Sequence, residues 1–139
     1  MNSPVTIDAS VFVSAFTPSE EAHQASKAFM REVRESGVPI IVPTLLIPEI
    51  AAAIGRGQGK PDLGYSFAIE VSQFPNVTLV NLDESLAKTA AEIAATYRLR
   101  GSDAVYAAVA TRFATSLVTL DSEQLQRVKK VAKVEISTP

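Results

Sequence analysis

Short apolar runs alternate with longer amphipathic segments along the whole chain, and this alternation restricts the fold more than any other feature. The runs at 4–8 ("PVTID"), 38–43 ("VPIIVP"), 76–80 ("NVTLV"), 116–120 ("SLVTL") and 133–137 ("KVEIS") have strand length. Between them the spacing changes to that of helices. Thr17-Pro18-Ser19-Glu20 reads as a capping box with Pro18 at the first helical position. The helix it would open carries Ala22, Ala25, Phe29 and Val33 on one stripe and stops at Gly37. Residues 44–55 read as a helix distorted by Pro48, 55–61 as a loop, and the residues up to about Phe74 as another helix. Leu86, Ala90, Ile93, Ala94 and Tyr97 mark a further helix, and 121–128 a short one. Residues 102–110 are apolar nearly all round, which predicts a central, buried helix. Strands separated by helices imply right-handed crossovers and a mainly parallel sheet with helices on both faces, an α/β fold. With 139 residues and no internal repeat, a single domain over 1–139 is expected.

Composition narrows the chemistry. There is no cysteine, and the one histidine, His23, stands in a polar stretch, so thiolate, Cys–His and Ser–His–Asp chemistries are disfavoured. "GRGQGKP" (55–61) has Lys60 and Pro61 where phosphate-binding loops need other residues, and it follows a helix rather than a strand. The net charge of −2 disfavours a general basic coat for nucleic acid but leaves room for a local basic groove. Arg127, Lys129, Lys130 and Lys133 read as a solvated face. The first residues lack the basic and apolar regions of a signal peptide, and no apolar run is long enough to span a bilayer. A cytoplasmic protein with no membrane association is expected.

Four acids stand out. Asp8 interrupts an apolar run at the end of the first strand, where a lone carboxylate is costly to desolvate. Glu49 is surrounded by Leu45, Leu46, Ile47, Ile50 and Ala53, with no basic residue within a turn. Asp103 follows Ser102, a good N-cap, and Asp121 follows the fourth strand. Each has an ordinary explanation. Asp8 could cap a helix beginning near Ser10, Asp121 with Gln124 forms a variant capping box, and Glu49 and Asp103 suit a helix dipole. Together they suggest more, because a parallel sheet brings strand-to-helix junctions to one edge, where sites form. Four converging carboxylates repel one another, and a divalent cation removes that conflict. Oxygen donors without His or Cys favour Mg²⁺ or Mn²⁺ over zinc. Arg98, Arg100, Arg56 and Lys60 could hold a phosphate backbone.

"TIDASVFVSAF", "PTLLIPEIAAAI", "LRGSDAVYAAVA" and "LVTLDSEQL" resemble, in order and spacing, the four acidic motifs of PIN-domain nucleases, and most of all the VapC-like toxins of toxin–antitoxin pairs. The resemblance spans essentially the whole chain. It implies a three-layer α/β/α sandwich, an acidic catalytic and metal site of Asp8, Glu49, Asp103 and Asp121, and dependence on Mg²⁺ or Mn²⁺. It also implies an RNA substrate, homodimers and an antitoxin partner. Ser10, two residues after the first acid, and Thr119, two before the last, match hydroxyls of the family's motifs and are expected to support the metal shell. The glycine-rich linker "GRGQGKPDLGY" departs from the pattern.

The expected activity is hydrolysis of RNA phosphodiesters. Alternatives are a PIN fold without turnover, binding RNA or protein, and a PIN nuclease of RNA maturation. A haloacid-dehalogenase-like phosphatase fits poorly, because position 10 is Ser where a second acid is needed, and "TID" lacks the acidic pair of a phosphoacceptor receiver domain. Phe12, Val13 and Phe16 continue the apolar pattern past Asp8. Apolar surface there, or on the 65–74 helix, is expected to be covered by a second copy or an antitoxin peptide.

Overall fold

A computed structural model describes residues 3–131 and 134–139. Five strands, β1 (Val5–Ile7), β2 (Ile40–Pro43), β3 (Val77–Val80), β4 (Ser116–Val118) and β5 (Glu135–Ser137), form one sheet in the order β3-β2-β1-β4-β5. Every pairing is parallel, with Val5 beside both Ile40 and Ser116. The expected strands are all present, shorter by a residue or two at their ends. Lys133, assigned from the sequence to the last strand and to a solvated face, lies outside the described residues.

The helices are α1 (Ala9–Phe16), α2 (His23–Ser36), α3 (Leu46–Gly55), α4 (Pro61–Ser72), α5 (Glu84–Tyr97), α6 (Gly101–Phe113) and α7 (Ser122–Val128). Right-handed crossovers put α1–α4 on one face of the sheet and α5–α7 on the other, the three-layer sandwich. Helix α6 packs on β1, β2 and β4, and its residues 103–110 are all buried. This is why its sequence is apolar all round.

Three helix starts differ from the sequence reading. Helix α2 begins at His23, and Thr17–Ala22 form turns instead. The Thr17 hydroxyl accepts from Gln58 Nε2 at 2.8 Å, and the N-cap residue of α2 is Ala22, with no side-chain cap. Helix α3 begins at Leu46 rather than at position 44. Pro48 falls within its first turn, where a missing N–H has no partner to lose. Helix α6 has Arg100, not Ser102, as its N-cap residue. The expectation of apolar surface at Phe12 and Val13 is also corrected. Both are buried, and only Phe16 reaches the surface layer, stacked on Phe67 with 4.4 Å between ring centroids.

Helices α3 and α4 form a tight hairpin. A Cβ at Gly64 would stand 2.7 Å from both the Ala51 carbonyl oxygen and the Gly55 nitrogen, so only glycine allows this approach. The strand order changes direction at β1 and β4, which opens a crevice at their carboxyl ends. Among the described residues, no helix is long and apolar enough to cross a membrane.

Candidate active site

The crevice is a cleft of about 470 Å³ whose lining includes Asp8, Ser10, Glu20, Glu49, Arg100, Ser102, Asp103 and Asp121. Asp8 leaves β1 and caps α1, so its ordinary role is real: its carboxylate accepts from the Ser10 amide at 3.3 Å. The same oxygen, Oδ2, accepts from Ser10 Oγ at 2.6 Å and from Thr119 Oγ1 at 3.1 Å. Three donors converge on Oδ2 and none of them on Oδ1, which leaves Oδ1 as the oxygen with capacity for a ligand.

Both hydroxyls are themselves tied to the chain after β4. Ser10 Oγ accepts from the Leu120 amide and Thr119 Oγ1 from the Asp121 amide, each at 3.1 Å. Thr119 also lies 2.8 Å from Gln124 Oε1, yet its single proton cannot serve both Asp8 and that carbonyl. Among the described residues, the Nε2 end of buried Gln124 has no partner. Exchanging the two ends of the carboxamide, which have the same shape, lets Gln124 donate to Thr119 while Thr119 donates to Asp8.

Glu49 stands in the first turn of α3 and accepts from Tyr106 Oη at 2.6 Å. Burial, then the charges of Asp8 and Asp103, raise its pKa above the ordinary value against the lowering effect of Tyr106. Tyr106 is fully buried, and burial followed by the Glu49 and Asp8 charges lifts its own pKa well up, so it remains a donor. Asp103, in the first turn of α6, is likewise pushed up by burial and by Asp121 and Asp8, with Arg100 opposing. Asp121 caps α7 through the Gln124 amide at 3.0 Å. Burial pushes it up, but the bonds from that amide and from Arg100 outweigh burial and hold it below the usual range.

Arg100 spans the gap between two of the acids. Its Nε donates to Asp103 Oδ2 at 2.9 Å and its Nη2 to Asp121 Oδ2. Among the described residues, no three acidic or histidine side chains are drawn into a ready ion cage.

A PIN domain model matches residues 5–131. The chain belongs to the PIN-domain family. The solved structure of VapBC2 from Rickettsia felis bound to a promoter DNA fragment has a TM-score of 0.72 at 10% identity, covering 98% of both chains. Mycobacterium tuberculosis VapC20, a Sarcin–Ricin loop cleaving toxin, has a TM-score of 0.73 at 14% identity, covering 88% of this chain and 93% of that one. FitAcB from Neisseria gonorrhoeae gives 0.68 at 18% identity, covering 95% of each. No curated protein matches the sequence. At these identities the likeness concerns the fold.

This PIN domain brings Asp8, Ser10, Glu49, Arg100, Asp103 and Asp121 to one cleft, with Thr119 directly behind it. Arg98, Arg56 and Lys60 do not line it. Arg98 ends α5 in the left-handed conformation, and its carbonyl accepts from Arg127. Arg56 ends α3 and Lys60 precedes α4. Sequence reasoning missed Tyr106, Gln124 and Glu20. The first two are contributed from 57 and 5 residues away from their partners, and Glu20 was absorbed into a capping box that does not form.

Proposed function

We propose that this PIN domain is a metal-dependent endoribonuclease and the toxin of a toxin–antitoxin pair. One observation carries the reading: Asp8, Glu49, Asp103 and Asp121 line a single cleft at the switch point of the sheet. The donor set suits Mg²⁺ or Mn²⁺. It offers hard oxygens only, Asp8 keeps one oxygen uncommitted, and two of the carboxylates are held above their ordinary pKa by burial and mutual repulsion. A divalent ion held by these four acids would supply positive charge to the phosphodiester and lower the pKa of a water molecule. The chain's own residues supply order. Ser10 and Thr119 fix the Asp8 carboxylate, Tyr106 fixes Glu49, and the α7 cap fixes Asp121.

The proposed partners have supports of their own. A groove of about 1090 Å³ lies between α1, α2 and α4, floored by Phe12, Phe16, Phe67 and Phe74 and edged by Arg31 and Arg34. It suits an amphipathic antitoxin segment with acidic residues. An apolar hollow lined by Leu45, Leu82, Ala91 and Val105 suits contact with a second copy.

The test is cleavage of single-stranded RNA by the purified chain. Mg²⁺ or Mn²⁺ should support it, EDTA should stop it, and the products should carry 5′-phosphate and 3′-hydroxyl ends. Cleavage that survives chelation, or that leaves 2′,3′-cyclic phosphates, would overturn the metal reading. Light scattering that finds only monomer at high concentration would remove the homodimer.

A further inference from the structure

Arg100 holds an unusual position among the cations of the chain. Among the described residues, it is the one Lys or Arg lining the acid cleft. Its backbone is fixed as the extended N-cap residue of α6, at φ −62° and ψ 151°, and its side chain folds back over the helix start. Two of its nitrogens each take the Oδ2 of a different acid. The Arg100 side chain is 59% exposed, while those of Asp103 and Asp121 are 9% and 27% exposed. An accessible, flexible cation therefore neutralises two acids that are themselves set into the cleft wall.

We propose that Arg100 is a displaceable internal counter-ion, holding Asp103 and Asp121 together when no divalent ion is bound and yielding both carboxylates when one binds. The inference rests on the metal-site reading above. A guanidinium bridging two carboxylates and an ion coordinated by the same two oxygens exclude each other by space and by charge. The exchange does not strand the guanidinium, because its exposed side chain can swing to solvent. Two of its five N–H groups serve the acids, and the rest are free for a phosphate oxygen once the ion holds the substrate. Arg100 would thus keep the cleft closed and neutral at rest and join it to the RNA backbone in use.

The consequence is a competition, and it can be read without any catalysis. Mn²⁺ binding would be measured by the electron paramagnetic resonance of the free ion, on wild type, Arg100→Lys and Arg100→Ala, with no RNA. Arg100→Ala should bind Mn²⁺ about tenfold more tightly or better, as expected for removing a like charge a few ångströms from the ion. Arg100→Lys should fall between, because an ammonium is a point charge that lacks the fork needed to hold both acids at once. Melting supplies a second readout. In EDTA, Arg100→Ala should melt below wild type, since Asp103 is left buried without its counter-ion, and saturating Mn²⁺ should close that gap. Equal or weaker Mn²⁺ binding by Arg100→Ala would overturn the inference while leaving the metal site standing. Binding by Arg100→Lys that equals wild type would overturn the bridge. Absence of Mn²⁺ binding in all three proteins would overturn the metal-site reading and the inference together.

Discussion

The Asp103→Asn substitution opposes two accounts of one side chain by sign. Asp103 is 6% exposed. In the metal-free protein its charge is opposed by burial first, then by Asp121 and Asp8, and favoured by Arg100. The balance lies upward from the ordinary carboxylate pKa, so the ionised group weakens the fold at neutral pH. Asparagine keeps the shape at the start of α6 and removes that cost. It gives up an ion pair with a guanidinium that is 59% exposed, a contribution of about 0–1 kcal/mol for a solvent-screened pair, and Arg100 retains Asp121. A net gain on the order of 1 kcal/mol corresponds to about 3–5 °C in Tm for a domain of this size. The pH dependence follows from the direction of the shift. The folded state holds the Asp103 proton more tightly than the unfolded state. The penalty is therefore fully present above the folded-state pKa and disappears as pH falls through the ordinary carboxylate range. The variant's advantage in EDTA should be largest at neutral pH and vanish near about pH 4. Mg²⁺ should raise the Tm of wild type and shift the variant much less. The assay is thermal melting by circular dichroism, in EDTA and in Mg²⁺. If Asp103 only complements the helix dipole, Asn loses about 0.3–1 kcal/mol and melts lower in EDTA, and Mg²⁺ moves neither protein. That result would refute the acid-cluster account.

Thr119→Val removes the buried hydroxyl that serves Asp8 and the Asp121 amide and should cost about 1–3 kcal/mol. Thr119→Ser should recover most of the loss in the same melting experiment. In Tyr106→Phe the Glu49 carboxyl loses the bond that lowers its pKa, so protons compete better for it. The ratio of variant to wild-type Kd for Mn²⁺ should grow from about pH 8 to about pH 6, and a flat ratio would show that Tyr106 does not act through Glu49. Gly64→Ala forces a methyl group against the backbone of α3 and should destabilise by about 1–3 kcal/mol or more. An unchanged Tm there would mean that the α3–α4 hairpin is looser than its geometry.

Sheet composition and parallel direction were legible because buried strands need short apolar runs, and β1 to β5 supply them with little interference. The four acids were legible for a related reason: an acid inside an apolar run, such as Asp8 or Glu49, conflicts with its surroundings unless something neutralises it. A capping role and a place in the cleft also proved compatible. Asp8 and Asp121 cap α1 and α7 while lining the cleft. Local signals misled where a distant partner claimed the group. Thr17 looks like a cap, but Gln58, 41 residues away, takes its hydroxyl. Ser102 looks like the start of α6, but the chain turns helical at Gly101, and Arg100 is thereby placed over the acids. The pairing of Tyr106 with Glu49 depends on how α3 and α6 meet, which no local pattern encodes.

The bond between Thr119 and Asp8 joins residues 111 positions apart, and β1 finds its partner β4 over a similar span. Such contacts form late, since a long loop must close before they give any return. A nascent chain that has not yet delivered β4 and the residues up to Asp121 holds Asp8 without the Thr119 hydroxyl and without the fourth acid, Asp121. Any fragment ending before that point, whether from translation in progress or from a broken message, lacks a complete cleft. The order of synthesis thus withholds the complete cleft until nearly the whole domain exists, and a circular permutant placing β4 ahead of β1 would let Asp8 meet Thr119 early while leaving Asp103, on α6, to arrive last.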